Sequence, residues 1–262
     1  MWPFLEIAGI YLPVYNIALA VGIFAGVAQL FFASRRKRVM LQFLADSFFI
    51  LLAVSLFCAR LTEVLLRNFS LLDFPFFWGT TSGFNFFGGA LGLLATLALL
   101  ARKYNENFFI WLDLLMLTIA PVLFFHHIGT FFEGSEYGIS TALPWGVTFT
   151  NPDAVGYSTL PLHPTQIYSA LAVLGFFLAA CFIFKTTTKA GKAGIFLLLS
   201  LSLTYFFLDF LRGDSAPTFG FLRASQYFTL FFALVAAVLA LKIRLAAREE
   251  RIGEIQINPQ NL

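Results

Sequence analysis

A short polar run, Leu162-His163-Pro164-Thr165-Gln166-Ile167-Tyr168, opens the long apolar segment Ala170 to Phe184. Proline has no backbone N–H to donate, so Pro164 marks the first turn of a helix with His163 near its cap. A helix start leaves four N–H groups free at a positive dipole end, an arrangement that suits an anion. His163 and Gln166, three apart, fall on one helical face, whereas Tyr168 is rotated away and reads as an interfacial anchor. A lone histidine here would be an ordinary structural group. With Pro, Thr and Gln beside it, the run reads as a polar pocket.

Three more groups stand in apolar surroundings. Arg60, Glu63 and Arg67 are spaced by three and four, on one helical face. For Glu63 and Arg67, an internal ion pair with a snorkelling arginine at the outer end and a functional role fit equally well. Arg60 lies deeper, which favours a functional role. His126 and His127 are adjacent, so they point to different helical faces and do not form a shared metal site; His126 reads as a hydrogen-bonded interfacial histidine. Tyr205, Asp209 and Arg212 follow at spacings of four and three, with Asp209 able to orient Arg212. The Arg212-Gly213-Asp214 triplet is read as a chance adhesion match in a turn. These groups hold more arginine and histidine than acid, which suits an anionic head group such as a phospholipid phosphate.

The elements that must position them are set by composition. The chain is 59% hydrophobic, only 12% charged, and carries 35 Phe among 262 residues. Its mean hydropathy is +0.82. A soluble domain has about 25% charged residues, so this chain is an all-α protein of the membrane. Apolar stretches of about 20 residues are needed to cross a bilayer. Seven occur, at Ile10–Ala33, Leu41–Leu66, Phe84–Ala101, Phe108–His126, Pro164–Phe184, Ala193–Leu211 and Ala224–Ile243. No cleavable signal peptide is evident, because the first apolar run is long and lacks a preceding basic region. Cys58 and Cys181 both lie in apolar segments and read as structural thiols, not as a disulfide or zinc site.

Basic residues set the direction of insertion. Arg35, Arg36, Lys37 and Arg38, then Arg102 and Lys103, then Lys185, Lys189 and Lys192, then Lys242, Arg244, Arg248 and Arg251 fall on one side. They are thirteen of the seventeen in the chain. The expected topology therefore has the N-terminus outside and the C-terminus in the cytoplasm. The chemistry-bearing residues lie in the outer half. The expected organisation is a single polytopic domain over residues 1–262, with a structured extracytoplasmic loop at about 129–163. Ionisable residues within a span cost at least about 2.5–3.5 kcal/mol, and they face the bundle interior. Nothing in the basic residues points to nucleic acid.

Five motifs, in order along nearly the whole chain from Tyr15 to the seventh span, resemble the prolipoprotein diacylglyceryl transferase family. Cys58-Ala59-Arg60-Leu61 resembles its Gly-Ala-Arg-Leu. Ser82-Gly83-Phe84-Asn85-Phe86-Phe87-Gly88-Gly89 resembles its Gly-Leu-Ser-Phe-His-Gly-Gly stretch. Leu143-Pro144-Trp145-Gly146-Val147 matches in the long loop. His163 to Tyr168 resembles His-Pro-Ser/Thr-Gln-Leu-Tyr-Glu, and Asp209-Phe210-Leu211-Arg212 resembles Glu-Phe-Phe/Leu-Arg.

The resemblance implies transfer of the diacylglyceryl group of phosphatidylglycerol to the lipobox cysteine of a preprolipoprotein, at the outer face of a bacterial plasma membrane. A thioether forms and glycerol phosphate leaves. It implies His163 or His127 as base, and Arg60, His127, Gln166 and Arg212 as phospholipid-binding groups. Tyr15, Asn85, Thr130, Glu133, Tyr168 and Asp209 support them. No cofactor or metal is implied. The implied partners are phosphatidylglycerol or another anionic phospholipid, and a lipoprotein signal segment.

The chain departs from the family's Gly-Arg-x-Gly-Asn-Phe-x-Asn-Gly/Gln-Glu motif. His127 stands for its arginine, Thr130 and Glu133 for its asparagines, and Ser135 for its glutamate, with Glu136 next to it. Phe87 replaces a histidine, and Ser169 a glutamate. Arginine is always charged and histidine is not. The expectation is therefore a divergent site, and the alternative is an inactive paralogue that binds phospholipid or a lipoprotein signal segment. A seven-span receptor or transporter finds little support, since no internal repeat is visible.

Overall fold

Among the described residues, seven helices are long and apolar enough to cross a membrane. The computed structural model describes residues 2–7, 9–66, 83–214 and 220–257. Arg67 and Ser82 lie outside the described residues. The helices are α1 (Val14–Lys37), α2 (Gln42–Leu66), α3 (Phe86–Lys103), α4 (Phe108–Glu133), α5 (Thr165–Thr186), α6 (Lys192–Leu208) and α7 (Ala224–Ile257). A 3-10 turn, Asp209–Leu211, follows α6.

Several helix ends differ from the hydropathy reading, and α7 runs on past Ile243 to Ile257. The first span does not begin at Ile10. Strands β1 (Phe4–Ile7) and β2 (Ile10–Pro13) pair antiparallel, with Gly9 at φ +79 in their turn. Hydropathy cannot separate this apolar strand from the helix it joins; Pro13, extended at φ −61 and ψ 125, marks the change. The fourth span does not stop at His126. It runs on to Glu133, and Gly134 at φ +80 ends it. The structured loop therefore starts at Gly134, not at Gly129, and Thr130 and Glu133 are helical.

Small residues let the helices approach closely, as expected where lipid supplies no hydrophobic drive between them. A Cβ on Gly26 of α1 would lie 2.6 Å from the Thr118 carbonyl oxygen of α4, and one on Gly22 would lie 2.9 Å from the Phe125 Cβ. At the top of the same seam, a Cβ on Gly129 would lie 3.1 Å from the Tyr15 Cα. Helices α1 and α4 are thus locked, and Tyr15 is pressed toward the end of α4. Gly88 and Gly92 of α3 pack equally tightly on Thr62 and Cys58 of α2.

Leu112, Leu117, Ala120, Leu197 and Ala236 are fully buried in the core shared by α4, α6 and α7. Buried Asp113 accepts from the Gly191 and Gly194 N–H groups at 2.7 and 2.6 Å, capping the start of α6. These are free donors at a positive helix end, so a carboxylate there is well placed. At the opposite end of the bundle from the Gly129 seam, Arg36 and Lys37 donate to the Lys185 and Thr187 carbonyls, which brings the basic helix ends together. The outer surface stays apolar, with Phe24 and Phe49 about 77% and 78% exposed. Cys58 and Cys181 are both free thiols.

The long connection between α4 and α5 is laced down. Val147 and Leu162 exchange backbone hydrogen bonds at 2.9 Å. His163 N–H donates to the Ile139 carbonyl, Gly138 N–H to the His163 carbonyl, and Ile139 N–H to the Leu211 carbonyl. Phe149, Ala154 and Leu162 form a small core beneath it. This lacing holds the segment Ser135–Gly138 against the ends of α4, α5 and α6.

Candidate active site

Glu136 is the point on which the site converges. It is a non-glycine residue at φ +57, a conformation disfavoured for L residues and found where surroundings over-determine the backbone. The surroundings are the start of α5. The Thr165 hydroxyl donates to the Glu136 carbonyl, and the Gln166 side-chain amide donates to the Ser135 carbonyl. Both donors are almost wholly buried. The polar helix start read from the sequence is therefore a clamp for the loop that carries Glu136.

The Glu136 carboxylate faces two imidazoles and a guanidinium. Oε2 lies 3.3 Å from the Nδ1 of His127, and Oε1 lies 3.7 Å from both the Nε2 of His126 and the Nη1 of Arg212. The adjacent histidines thus share one partner, contrary to their expected separation. Consecutive helical positions are about 100° apart, not opposed, and Glu136 sits between their directions beyond the end of α4. The ring centroids are only 4.9 Å apart. Burial disfavours the Glu136 anion, but the His126 and His127 rings and the Arg212 guanidinium outweigh it and hold the carboxyl well below the usual carboxylate range.

A hydroxyl backs each histidine. Tyr15 OH and His126 Nδ1 are 3.2 Å apart, and Tyr205 OH and His127 Nε2 are 2.8 Å apart. Arg212 is held chiefly by Asp214, through Nε and Nη2 at 2.9 and 2.7 Å, with Asp209 at 3.8 Å. Its charge is fixed more firmly than usual: burial works against it, but Asp214, Glu136 and Asp209 more than compensate. Asp209 also accepts from the Ser225 hydroxyl, and Arg223 donates to the Arg212 carbonyl at 2.7 Å.

These groups line a cavity of about 400 Å³ together with Thr165, Ser169, Phe84, Phe86 and Phe87. An apolar crevice shares the walls Phe86, Phe87, Leu123 and Tyr205, then continues along Leu94, Leu198 and Phe232. A charged chamber that shares walls with an apolar crevice suits a molecule with an anionic head and an apolar part.

Of the residues singled out from sequence, Tyr15, His126, His127, Thr165, Tyr205, Asp209 and Arg212 line this cavity. The others stand behind it. Arg60 is buried, donates to the Gly83 carbonyl at 2.9 Å and lies 5.9 Å from the Phe84 ring, through which it meets the cavity wall. Asn85 caps α3 by accepting from Gly88 N–H at 3.1 Å. Thr130 bonds back to the His127 carbonyl at 3.0 Å, and Glu133 accepts from the Ser135 hydroxyl at 2.7 Å.

His163 and Gln166 do not share a face. His163 precedes α5, whose first residue is Thr165, so helical spacing does not apply to it. Its Nδ1 lies 3.2 Å from the Tyr168 hydroxyl, which accepts from Trp145 Nε1 at 2.8 Å. Tyr168 is therefore a neighbour of His163 and not a residue turned away from it. The Asp214 of the supposed chance triplet is the main partner of Arg212.

Sequence reading missed Glu136, Asp214, Ser225 and the role of Tyr205. Glu136 had a signal: it stands one residue beyond Ser135, where the resembled motif has its glutamate.

A family model described as prolipoprotein diacylglyceryl transferase matches residues 3–242. The chain is similar to the phosphatidylglycerol–prolipoprotein diacylglyceryl transferase of Clostridium tetani (strain Massachusetts / E88), 29% identical over 234 residues, covering 88% of this chain and 92% of that protein. It is 31% identical over 169 residues to the protein of the same name from Tolumonas auensis, covering 62% of each. With that of Polynucleobacter necessarius subsp. necessarius it is 34% identical over 137 residues, 51% of this chain and 50% of the relative.

Proposed function

The chain belongs to the prolipoprotein diacylglyceryl transferase family, and we propose that it transfers the diacylglyceryl group of phosphatidylglycerol to the lipobox cysteine of a prolipoprotein. It is a multi-pass protein of the bacterial plasma membrane. The basic helix ends face the cytoplasm, which puts the cavity in the outer half, where an exported acceptor presents its cysteine.

One observation carries this reading: His127, Glu136 and Arg212 line one chamber at the head of an apolar crevice. The acyl chains occupy the crevice and the phosphate enters the chamber. The acceptor thiol gives its proton to the His127–Glu136 pair, because the thiolate is the nucleophile. Its sulfur then bonds the terminal glycerol carbon of the diacylglyceryl group. The bond from that carbon to the phosphate oxygen breaks, and glycerol phosphate departs as an anion stabilised by Arg212. His163 does not line the cavity, so the base role falls to His127. Thr165 and Gln166 act on Glu136 through the carbonyls of Glu136 and Ser135, and Tyr15, Tyr205 and Asp209 fix the groups that face the substrate.

A second reading, a paralogue that binds phospholipid without transfer, draws on one feature. Asp214, Asp209 and Glu136 already surround Arg212, so a phosphate must displace Asp214 from the exposed turn. Purified protein with labelled phosphatidylglycerol and a lipobox peptide separates the two. Labelled peptide supports transfer. Lipid binding without labelled peptide, across pH and lipid composition, supports the second reading.

A further inference from the structure

His126, His127 and Glu136 each offer one ligand atom within 4.8 Å of the other two. Among the described residues this is the one such group with two imidazoles. Two neutral histidines and a carboxylate are a ligand set used for zinc when a further position is kept for water or substrate. Here that open side is the cavity, which all three residues line.

Two independent features point to a ligand. The Nδ1 of His127 lies 3.3 Å from Glu136 but is not aligned on it, and this ring atom is buried without a hydrogen-bond partner although the residue is only 5% exposed. Such an orphan needs a partner. The second feature is the pair of hydroxyls behind the rings. Tyr15 meets the Nδ1 of His126 and Tyr205 meets the Nε2 of His127, in each case the nitrogen turned away from Glu136. A metal-bound imidazole donates its other N–H to a fixed acceptor, which sets the tautomer and the ring plane. With Nε2 of His126 and Nδ1 of His127 as ligands, both remaining N–H groups point at phenolic oxygens. Arg212, 3.7 Å from Glu136, opposes a cation, but Asp214 and Asp209 already neutralise it.

We propose that His126, His127 and Glu136 form a binding site for a divalent transition-metal ion of the zinc class, open to the cavity. The ion and the transfer reaction exclude each other, because metal on Nδ1 with Nε2–H on Tyr205 leaves His127 no nitrogen to take the thiol proton. The test therefore reads metal and not turnover. Full-length protein without a histidine tag, in nanodiscs and stripped with chelator, is titrated with Zn²⁺ by calorimetry. One equivalent binds, and His126→Gln and Glu136→Gln each weaken it at least about tenfold. His163→Gln, the third histidine of the chain, leaves the affinity unchanged. Zinc-edge X-ray absorption on the unaltered protein, which needs no variant to fold, counts two imidazoles and no sulfur. Absence of stoichiometric binding, affinity unchanged in both His126→Gln and Glu136→Gln, or an absorption spectrum with other ligands overturns the assignment.

Discussion

The buried imidazole of His127 is held between an acid and a phenol, with Nδ1 3.3 Å from Glu136 Oε2 and Nε2 2.8 Å from the Tyr205 hydroxyl. Glu136 belongs to the loop and Tyr205 to α6, so this one ring links the two. Replacing it by phenylalanine keeps most of the volume and removes both polar contacts. His127→Phe is expected to lower thioether formation by about 10²–10⁴-fold, the range for a lost general base, while phospholipid binding persists. Single-turnover rates and lipid binding measured on the same preparation check this. An unchanged rate would move the base elsewhere.

Glu136 links the site to pH. Its carboxyl titrates lower in the folded protein than in the unfolded chain, because the neighbouring imidazoles and Arg212 outweigh its burial. A group shifted this way stabilises the fold above its unfolded pKa, and that contribution is lost as pH falls through the folded value. The melting temperature of the wild type should therefore fall more steeply than that of Glu136→Gln below the ordinary glutamate range, about pH 4.3. The two curves should run parallel at neutral pH. Equal acid slopes would show that Glu136 carries no such linkage.

Thr165 and Gln166 act at one remove. Each donates to a carbonyl of the Ser135–Glu136 segment, and loss of a buried partner costs about 1–3 kcal/mol. Thr165→Val and Gln166→Leu are expected to lower the thermal midpoint, and to reduce transfer more than phospholipid binding. Protease cleavage within residues 134–138 should rise in both. Variants that melt like the wild type and resist cleavage would remove the clamp from the account.

The seven helices were legible because a span needs only length and apolar content, and Phe108–Glu133 or Thr165–Thr186 supplies both. The ends were less so. Ile10–Pro13 is as apolar in a strand as in a helix, and Gly129 to Phe132 continue α4 although they resemble a loop opening. The site was half legible. Arg212, His127, Asp209 and Tyr15 stood out as polar groups in apolar surroundings or as motif positions. Glu136 did not, because its position depends on a left-handed backbone and on Thr165 and Gln166, 29 and 30 residues away in the chain. The nearness of His163 to Tyr168 is hidden for a related reason: His163 precedes the helix, where helical spacing does not hold.

Close packing between α1 and α4 places Tyr15 on His126. A side chain at Gly26 would meet the Thr118 carbonyl, which cannot move without disturbing α4. Gly26→Val should cost about 1–3 kcal/mol by overpacking and lower the melting temperature. Cross-linking between cysteines placed on the two helices would decline with it. A wild-type melt would show that the seam is looser than described.

Asp113 tests the scaffold at the far end of the bundle. Asp113→Leu leaves the buried Gly191 and Gly194 N–H groups without an acceptor, at about 1–3 kcal/mol each. Asp113→Asn, which keeps one acceptor oxygen, should fall between the two. The order wild type, Asn, Leu in thermal midpoint is the expected result, and an unstable Asn variant beside a stable Leu variant would contradict it.

The central claim is that the chamber of His127, Glu136 and Arg212 moves a diacylglyceryl group from lipid to thiol. Mass spectrometry of a lipobox peptide incubated with the purified protein and phosphatidylglycerol tests it most directly. The expected result is a peptide heavier by one diacylglyceryl group at its cysteine, glycerol phosphate released in equal amount, and both products formed about 10²–10⁴-fold more slowly by His127→Phe. A cysteine that stays unmodified while the wild-type protein binds both substrates would contradict it.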